Sequence, residues 1–168
     1  CIGIHATAQS KYWNHSQGWQ KVVDYLKSEG YEVILISKEN GTYMENQPPT
    51  GIIDKSGDIP LSDRINDIAH AEAFIGVGSG LSWLAWAVGT KVVMISGFSK
   101  PYSEFNGEDV LRISNQQVCN GCFNRERLDA GDWNWCPDHK NTPKQFECTK
   151  KIEPEMVIEK LKKFITNG

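Results

Sequence analysis

Apolar residues along the chain alternate between short unbroken runs and stripes of helical spacing. Residues 1–6, with Ile2 and Ile4, predict a short buried strand, and the polar, aperiodic stretch 7–17 predicts a loop. Trp19, Val22, Val23 and Leu26 then recur at i, i+3, i+4 and i+7, one face of a helix that Gly30 closes. Val33-Ile34-Leu35-Ile36 within 31–37 is an uninterrupted apolar run, the kind found in strands covered on both faces. Asn40-Gly41 and Pro48-Pro49 punctuate a polar loop over 38–50, and Gly51-Ile52-Ile53 predicts a third short strand.

Ser62 has the character of an N-cap for a helix carrying Ile65, Ile68 and Ala69. A fourth strand over 73–77 runs into Gly78-Ser79-Gly80. A helix over 81–88, ended by Gly89, follows; it is apolar on every side and is expected to lie deeply buried. Residues 91–96 and 109–114 predict the fifth and sixth strands, and 115–150 are irregular. Pro154 starts a last helix with Val157, Ile158, Leu161, Phe164 and Ile165 down one face. Strands alternating with helices predict an α/β fold, a parallel sheet flanked by helices with right-handed crossovers. Such sheets bind ligands beyond the carboxyl ends of their strands, so the candidate ligand loops are 7–17, 38–50 and 78–81.

The 168 residues suit one domain, 1–168, with 115–150 inserted in it. A net charge of -3 argues against a dedicated nucleic-acid binder, which would carry a basic field. No apolar run approaches the ~20 residues of a membrane span. The opening Cys1-Ile2-Gly3-Ile4-His5 reads as a strand already under way rather than a leader, so the chain is expected to be a piece of something longer.

Four of the five cysteines stand as Cys119-x2-Cys122-x13-Cys136-x11-Cys148. A C-x-x-C step lets two sulfurs meet one ion from a tight turn, and two further thiolates complete a tetrahedral shell that suits zinc or a mononuclear iron. Asn120-Gly121 can form the turn, and Trp133 and Trp135 can cover the metal. His139 competes with Cys148 as fourth ligand, and paired disulfides or unrelated thiols are the plainer alternative. A closed four-ligand shell has no position for substrate, so the metal reads as structural.

Gly78-Ser79-Gly80, between a strand and a helix, combines close backbone approach, the free amides of a helix start and a hydroxyl donor. Lys11 can supply the positive charge that a pyrophosphate requires, and Glu39 can accept hydrogen bonds from a ribose diol. Each also has a plain reading: a steric glycine turn, a solvated lysine and an exposed loop charge.

His5-Ala6-Thr7 followed by Lys11 and Trp13 resembles the donor-binding loop of bacterial heptosyltransferases. Gly76-Val77-Gly78-Ser79-Gly80-Leu81-Ser82-Trp83-Leu84 is similar to their second signature, G-V-D-T-G-L-S-H-L, and the cysteine-rich insertion resembles that of the bacterial autotransporter heptosyltransferases. The resemblance covers nearly the whole chain. It implies the C-terminal, nucleotide-sugar-binding half of a two-domain GT-B enzyme, with a Rossmann-like sheet and a small four-cysteine metal knuckle. It implies ADP-heptose as donor, a serine hydroxyl of an autotransporter adhesin as acceptor, and iron held by Cys119, Cys122, Cys136 and Cys148, with zinc as the alternative. By position Thr7, Lys11 and Ser79, between Gly78 and Gly80, fall to the diphosphate, and Glu39 to the ribose.

The sequence departs from the pattern in three places. Gly78 stands where aspartate is common, Trp83 stands where histidine is common, and the loop before Lys11 is one residue shorter. The resemblance also implies that the catalytic base belongs to an N-terminal acceptor domain, that no catalytic residue lies in this chain, and that the location is cytoplasmic. A reducing cytosol suits metal thiolates. The residues leave homo-oligomerisation open. They also leave open a different donor sugar, or a metal-stabilised interaction module with no enzymatic role.

Overall fold

The computed structural model describes residues 1–166. Its strands are β1 (Ile2–Gly3), β2 (Ile34–Leu35), β3 (Ile53–Asp54), β4 (Phe74–Gly76), β5 (Val92–Ile95) and β6 (Val110–Ile113). The helices are α1 (Gly18–Ser28), α2 (Leu61–Ala69), α3 (Gly80–Ala87), α4 (Glu147–Lys150) and α5 (Pro154–Thr166). All five strand pairings are parallel, and the order across the sheet is β3-β2-β1-β4-β5-β6. The chain leaves β1 toward one edge and returns to its other side for β4. A crevice opens beyond the strand ends where the order reverses, which makes the β1–β4 junction the natural ligand position in this Rossmann-like sheet.

Side chains alternate across the pleat, so each strand feeds two cores. Ile75, Val93, Ile95 and Ile113 pack with Val22, Val23 and Leu26 of α1 and with Val157 and Leu161 of α5. Phe74, Val92 and Met94 face the other way, onto Ile68 of α2 and Ala85 of α3. Burying each such aliphatic or aromatic side chain contributes about 1.5–3 kcal/mol. Phe74 fixes the glycines around it. A Cβ at Gly3 or at Gly76 would lie 2.6 Å from its ring carbons, so both backbones approach the ring as only glycine allows.

Three local expectations change. Ser62 is not the cap of α2, because the helix already starts at Leu61. Pro60 precedes it with φ -52°, a value proline holds by its ring. The helix α3 is not buried all round: Trp83 and Trp86 are 42% and 43% exposed. They cover each other and Phe105 at ring-centroid distances of 5.0–5.9 Å, so part of their apolar surface is shielded by aromatic neighbours. The third strand is an edge strand, with both of its residues exposed.

The irregular segment 115–150 is tied to the loops at the strand ends. The Gly121 amide donates to the Gly97 carbonyl at 2.8 Å and the Phe123 amide to Phe98 at 3.1 Å, which fixes the segment to the loop after β5. The Gln9 amide donates to Trp133 at 3.0 Å, which fixes it to the loop after β1. Gly121 forms the turn of the C-x-x-C step with φ +76°, a left-handed conformation that glycine adopts without strain.

Candidate functional site

A cavity of about 620 Å³ lies beyond the carboxyl ends of β1, β2, β3 and β4. Thr7 and Lys11 enter it from the loop after β1, Glu39 from the loop after β2, and Ser79 and Gly80 from the turn after β4. Three polar loops that are far apart in sequence therefore converge at the switch point. Gly78 does not line this cavity. It lines a smaller neighbour of about 270 Å³, and Lys11, Ser79 and Gly80 line both. The rest of the 38–50 loop turns away; residues 45–49 border a separate cleft beside Trp13 and Trp19.

The parts of the shared wall are of the kind that suit an anion. Ser79 is the N-cap of α3, and its buried hydroxyl has no hydrogen-bond partner. The first turn of α3 has no acidic side chain to neutralise the positive end of the helix dipole. Lys11 sits across the same cavities, 5.3 Å from the centre of the Phe98 ring, with Nζ 3.4 Å from the Thr7 hydroxyl. Burial lowers the Lys11 pKa below the ordinary lysine value, and the carboxylate of Glu104 partly opposes that. A half-buried ammonium with little local compensation gains from an incoming anion.

On the opposite wall, His5 Nδ1 lies 2.7 Å from the Ser37 hydroxyl, which donates to Glu39 Oε2 at 3.0 Å. The chain of bonds holds the Glu39 carboxylate at the cavity edge. Burial lowers the His5 pKa, with Glu39 the leading opposing influence, and His5 Nε2 is buried without a partner.

Two residues here escape a motif reading. Arg64 is buried and lines the larger cavity. It donates to the Ser37 carbonyl at 2.8 Å and to the Gly57 carbonyl, tying the ends of β2 and β3 together, while its buried Nη1 is unpartnered. The available signal was its position: Leu61, Arg64, Ile65 and Ile68 share one helical face, and a cation on an apolar stripe needs partners. Glu104 lines the smaller cavity from an aperiodic loop that carries no such signal.

The four clustered cysteines are free thiols, three of them buried. Burial, and then their mutual charge, pushes Cys119 up to about 11 and Cys148 up to about 12; Cys122 is also raised. The thiols share one neighbourhood, but among the described residues no three of the four sulfurs come within 4.8 Å of one another. Among the described residues, the ligand-type atoms found within 4.8 Å of one another are those of Cys119, His139 and Glu147. His139 thus approaches Cys119, together with a carboxylate that the C-x-x-C pattern does not foreshadow. Trp135 packs with Cys122 and Phe98. Trp133 does not; it stands 5.7 Å from Tyr12 and 5.8 Å from Tyr43, toward the loop after β2. Among the described residues no helix is long and apolar enough to cross a membrane.

The profile of glycosyltransferase family 9 (heptosyltransferase) matches residues 2–128. The autotransporter heptosyltransferase BAHTCr of Citrobacter rodentium is 49% identical over 157 residues, 90% of this chain and 38% of that protein. The crystal structure of TibC, a dodecameric iron-containing heptosyltransferase in complex with ADP-D-beta-D-heptose, superposes with a TM-score of 0.92 at 44% identity, over 99% of this chain and 45% of that one. TibC comes from Escherichia coli O78:H11. The ADP-heptose LPS heptosyltransferase II of E. coli superposes with a TM-score of 0.69 at 18% identity, a likeness of fold. The chain spans less than half the length of these relatives.

Proposed function

The chain belongs to glycosyltransferase family 9, the heptosyltransferases, and from that premise we propose that it binds the nucleotide-sugar donor of a glycosyl transfer, ADP-heptose or a close relative. The observation that carries this reading is the wall shared by two adjoining cavities. Lys11, Ser79 and Gly80 belong to both. A diphosphate joins a nucleoside to a sugar, so its place lies between the two spaces. The larger cavity, with Glu39 at its edge, suits the nucleoside, and Glu39 would accept hydrogen bonds from the ribose hydroxyls. Thr7 and the α3 amides complete the diphosphate cradle, and Gly78 keeps the turn before Ser79 free of side-chain bulk.

In the reaction, the bond between the anomeric carbon and the diphosphate oxygen breaks, and the electron pair leaves with the diphosphate. The acceptor oxygen forms the new bond, and its proton passes to a base. Charge grows on the leaving oxygen, where Lys11 and the amides after Ser79 stabilise it in place. We assign the base to the N-terminal acceptor domain of the longer protein, as the resemblance to the heptosyltransferases implies. The acceptor would be a protein hydroxyl, such as a serine of an autotransporter adhesin.

Residues 1–168 would form one nucleotide-sugar-binding unit and 115–150 an insertion within it. Cys119, Cys122, Cys136 and Cys148 would hold an iron ion, or zinc in its place, with a purely structural task. The likeness to TibC supports iron and a homo-oligomeric assembly, and a reducing cytoplasm would suit the metal thiolates.

The test is calorimetric titration with ADP and with ADP-heptose. Hydrogen bonds to charged groups contribute about 1.5–3 kcal/mol, so Lys11→Ala is expected to weaken ADP binding about 10–100-fold. Ser79→Ala is expected to have a smaller effect. If the parent protein binds neither ligand, the donor reading fails. Other nucleotide sugars in the same titration decide the donor.

A further inference from the structure

The smaller cavity has a composition suited to a sugar. Trp83, Phe98 and Phe123 supply aromatic surface, and Lys11, Ser103 and Glu104 supply the polar groups. Aromatic faces pack against the C–H faces of a sugar ring, and a carboxylate accepts hydrogen bonds from neighbouring hydroxyls. Among the described residues, Glu104 is the one carboxylate lining this space. Its Oε1 accepts from the Ser99 hydroxyl at 2.5 Å, which orients the group.

The backbone beside it matters as much. A Cβ built on Gly78 would lie 3.4 Å from Glu104 Oε1, a tight contact. Gly78 has no left-handed φ that would require glycine, so what its missing side chain provides is room. Glu104 fills that room from a different loop, beside the position at which the signature motif of the family carries aspartate. Its negative charge would oppose a diphosphate if it stood alone. It acts on two cations, however, Lys11 and Arg112, and so adds little net repulsion. The Arg112 guanidinium donates to the Ser99 carbonyl and lies 3.4 Å from its hydroxyl, so the loop carrying Glu104's partner is itself held in place.

We propose that Glu104 is a donor-sugar recognition residue of this protein, accepting hydrogen bonds from hydroxyls of the transferred sugar in the place that Gly78 leaves open. The proposal rests on the donor-binding reading above and goes further by naming the residue that distinguishes ADP-sugar from ADP.

The experiment is a matched pair of titrations, with ADP alone and with ADP-heptose, on the parent protein and on Glu104→Gln. The expected result is that ADP affinity stays within about twofold, while the extra affinity conferred by the sugar falls about tenfold or more, the size of a charge-assisted hydrogen bond. Equal losses for both ligands, or no loss for either, would overturn the role of Glu104 and leave donor binding intact. Failure of the parent protein to bind either ligand would overturn the donor reading instead. Glu104→Ala would also remove the bond to Ser99 and so could loosen that loop, and the double variant Glu104→Ala/Gly78→Asp is therefore the decisive control. A carboxylate built from position 78 reaches the same space, and it is expected to restore at least part of the sugar increment. A folded double variant with no restoration counts against the proposal.

Discussion

At the scale of single residues, the site is held by groups kept in costly states. His5 is the clearest case for a solution test. It is buried, bonded to Ser37, and has a pKa below the ordinary histidine value because burial penalises its charged form. The carboxylates of Glu39 and Asp54 offset this only in part. Between its lowered folded pKa and about 6.5 the unfolded chain binds more protons at this position than the folded one, so stability rises with pH across that window. Acidification from about pH 6.5 downward into that window is therefore expected to lower the urea midpoint. His5→Asn, which keeps a donor for Ser37, is expected to flatten that part of the profile; an unchanged slope would show that His5 is not the group responsible. Residues of this kind were only partly legible beforehand. Lys11, Glu39 and Ser79 follow from strand-end placement, which the alternation of elements reveals. Arg64 does so only through its place on an apolar stripe, and Glu104 does not, because its role depends on two loops meeting in space.

At the scale of elements, the chain order and the two-faced sheet were readable from period and run length, since buried parallel strands have few ways to be written. Cap position was not, because Pro60 sets the start of α2 through its ring and not through a side-chain bond. Nor was the exposure of α3, where Trp83, Trp86 and Phe105 cover one another. The cysteine segment shows why an element without periodicity can still matter. Its own apolar cluster is small, with Phe98, Cys122 and Trp135 at its centre, yet Phe98 also carries the Lys11 ammonium on its ring. Loss of order around the cysteines is thus expected to reach the diphosphate position. A metal held a thousandfold above its Kd contributes about 4 kcal/mol, worth about 8–16 °C in a domain of this size. Cys136→Ser is expected to lose the metal by elemental analysis, to lower Tm by that order, and to weaken ADP binding. Full metal content in the variant would remove Cys136 from the ligand set.

At the scale of the whole molecule, binding and transfer separate cleanly in their physical demands. The proposed donor binding needs one concave wall with fixed positive charge, and three strand-end loops converge on a cavity that Lys11 lines. Transfer needs, in addition, an acceptor hydroxyl held within about 3.5 Å of the anomeric carbon and a base in reach of its proton. Around the cavities Glu39 and His5 are bonded to Ser37 and Glu104 to Ser99, while the exposed Asp58 carboxylate lines the larger cavity. The smaller cavity is bordered by exposed Trp83 and Phe123, so water would meet a sugar bound there unless another surface covered it, and a wet site weakens every electrostatic contribution to the leaving group. The protein of this sequence is therefore expected to bind ADP-heptose yet form no glycosylated serine peptide above the rate of spontaneous donor hydrolysis. Mass spectrometry of the peptide after overnight incubation reads the outcome directly. Product formation that is lost in Lys11→Ala would mean that the base lies among these residues after all, and would overturn the division of labour between the two halves.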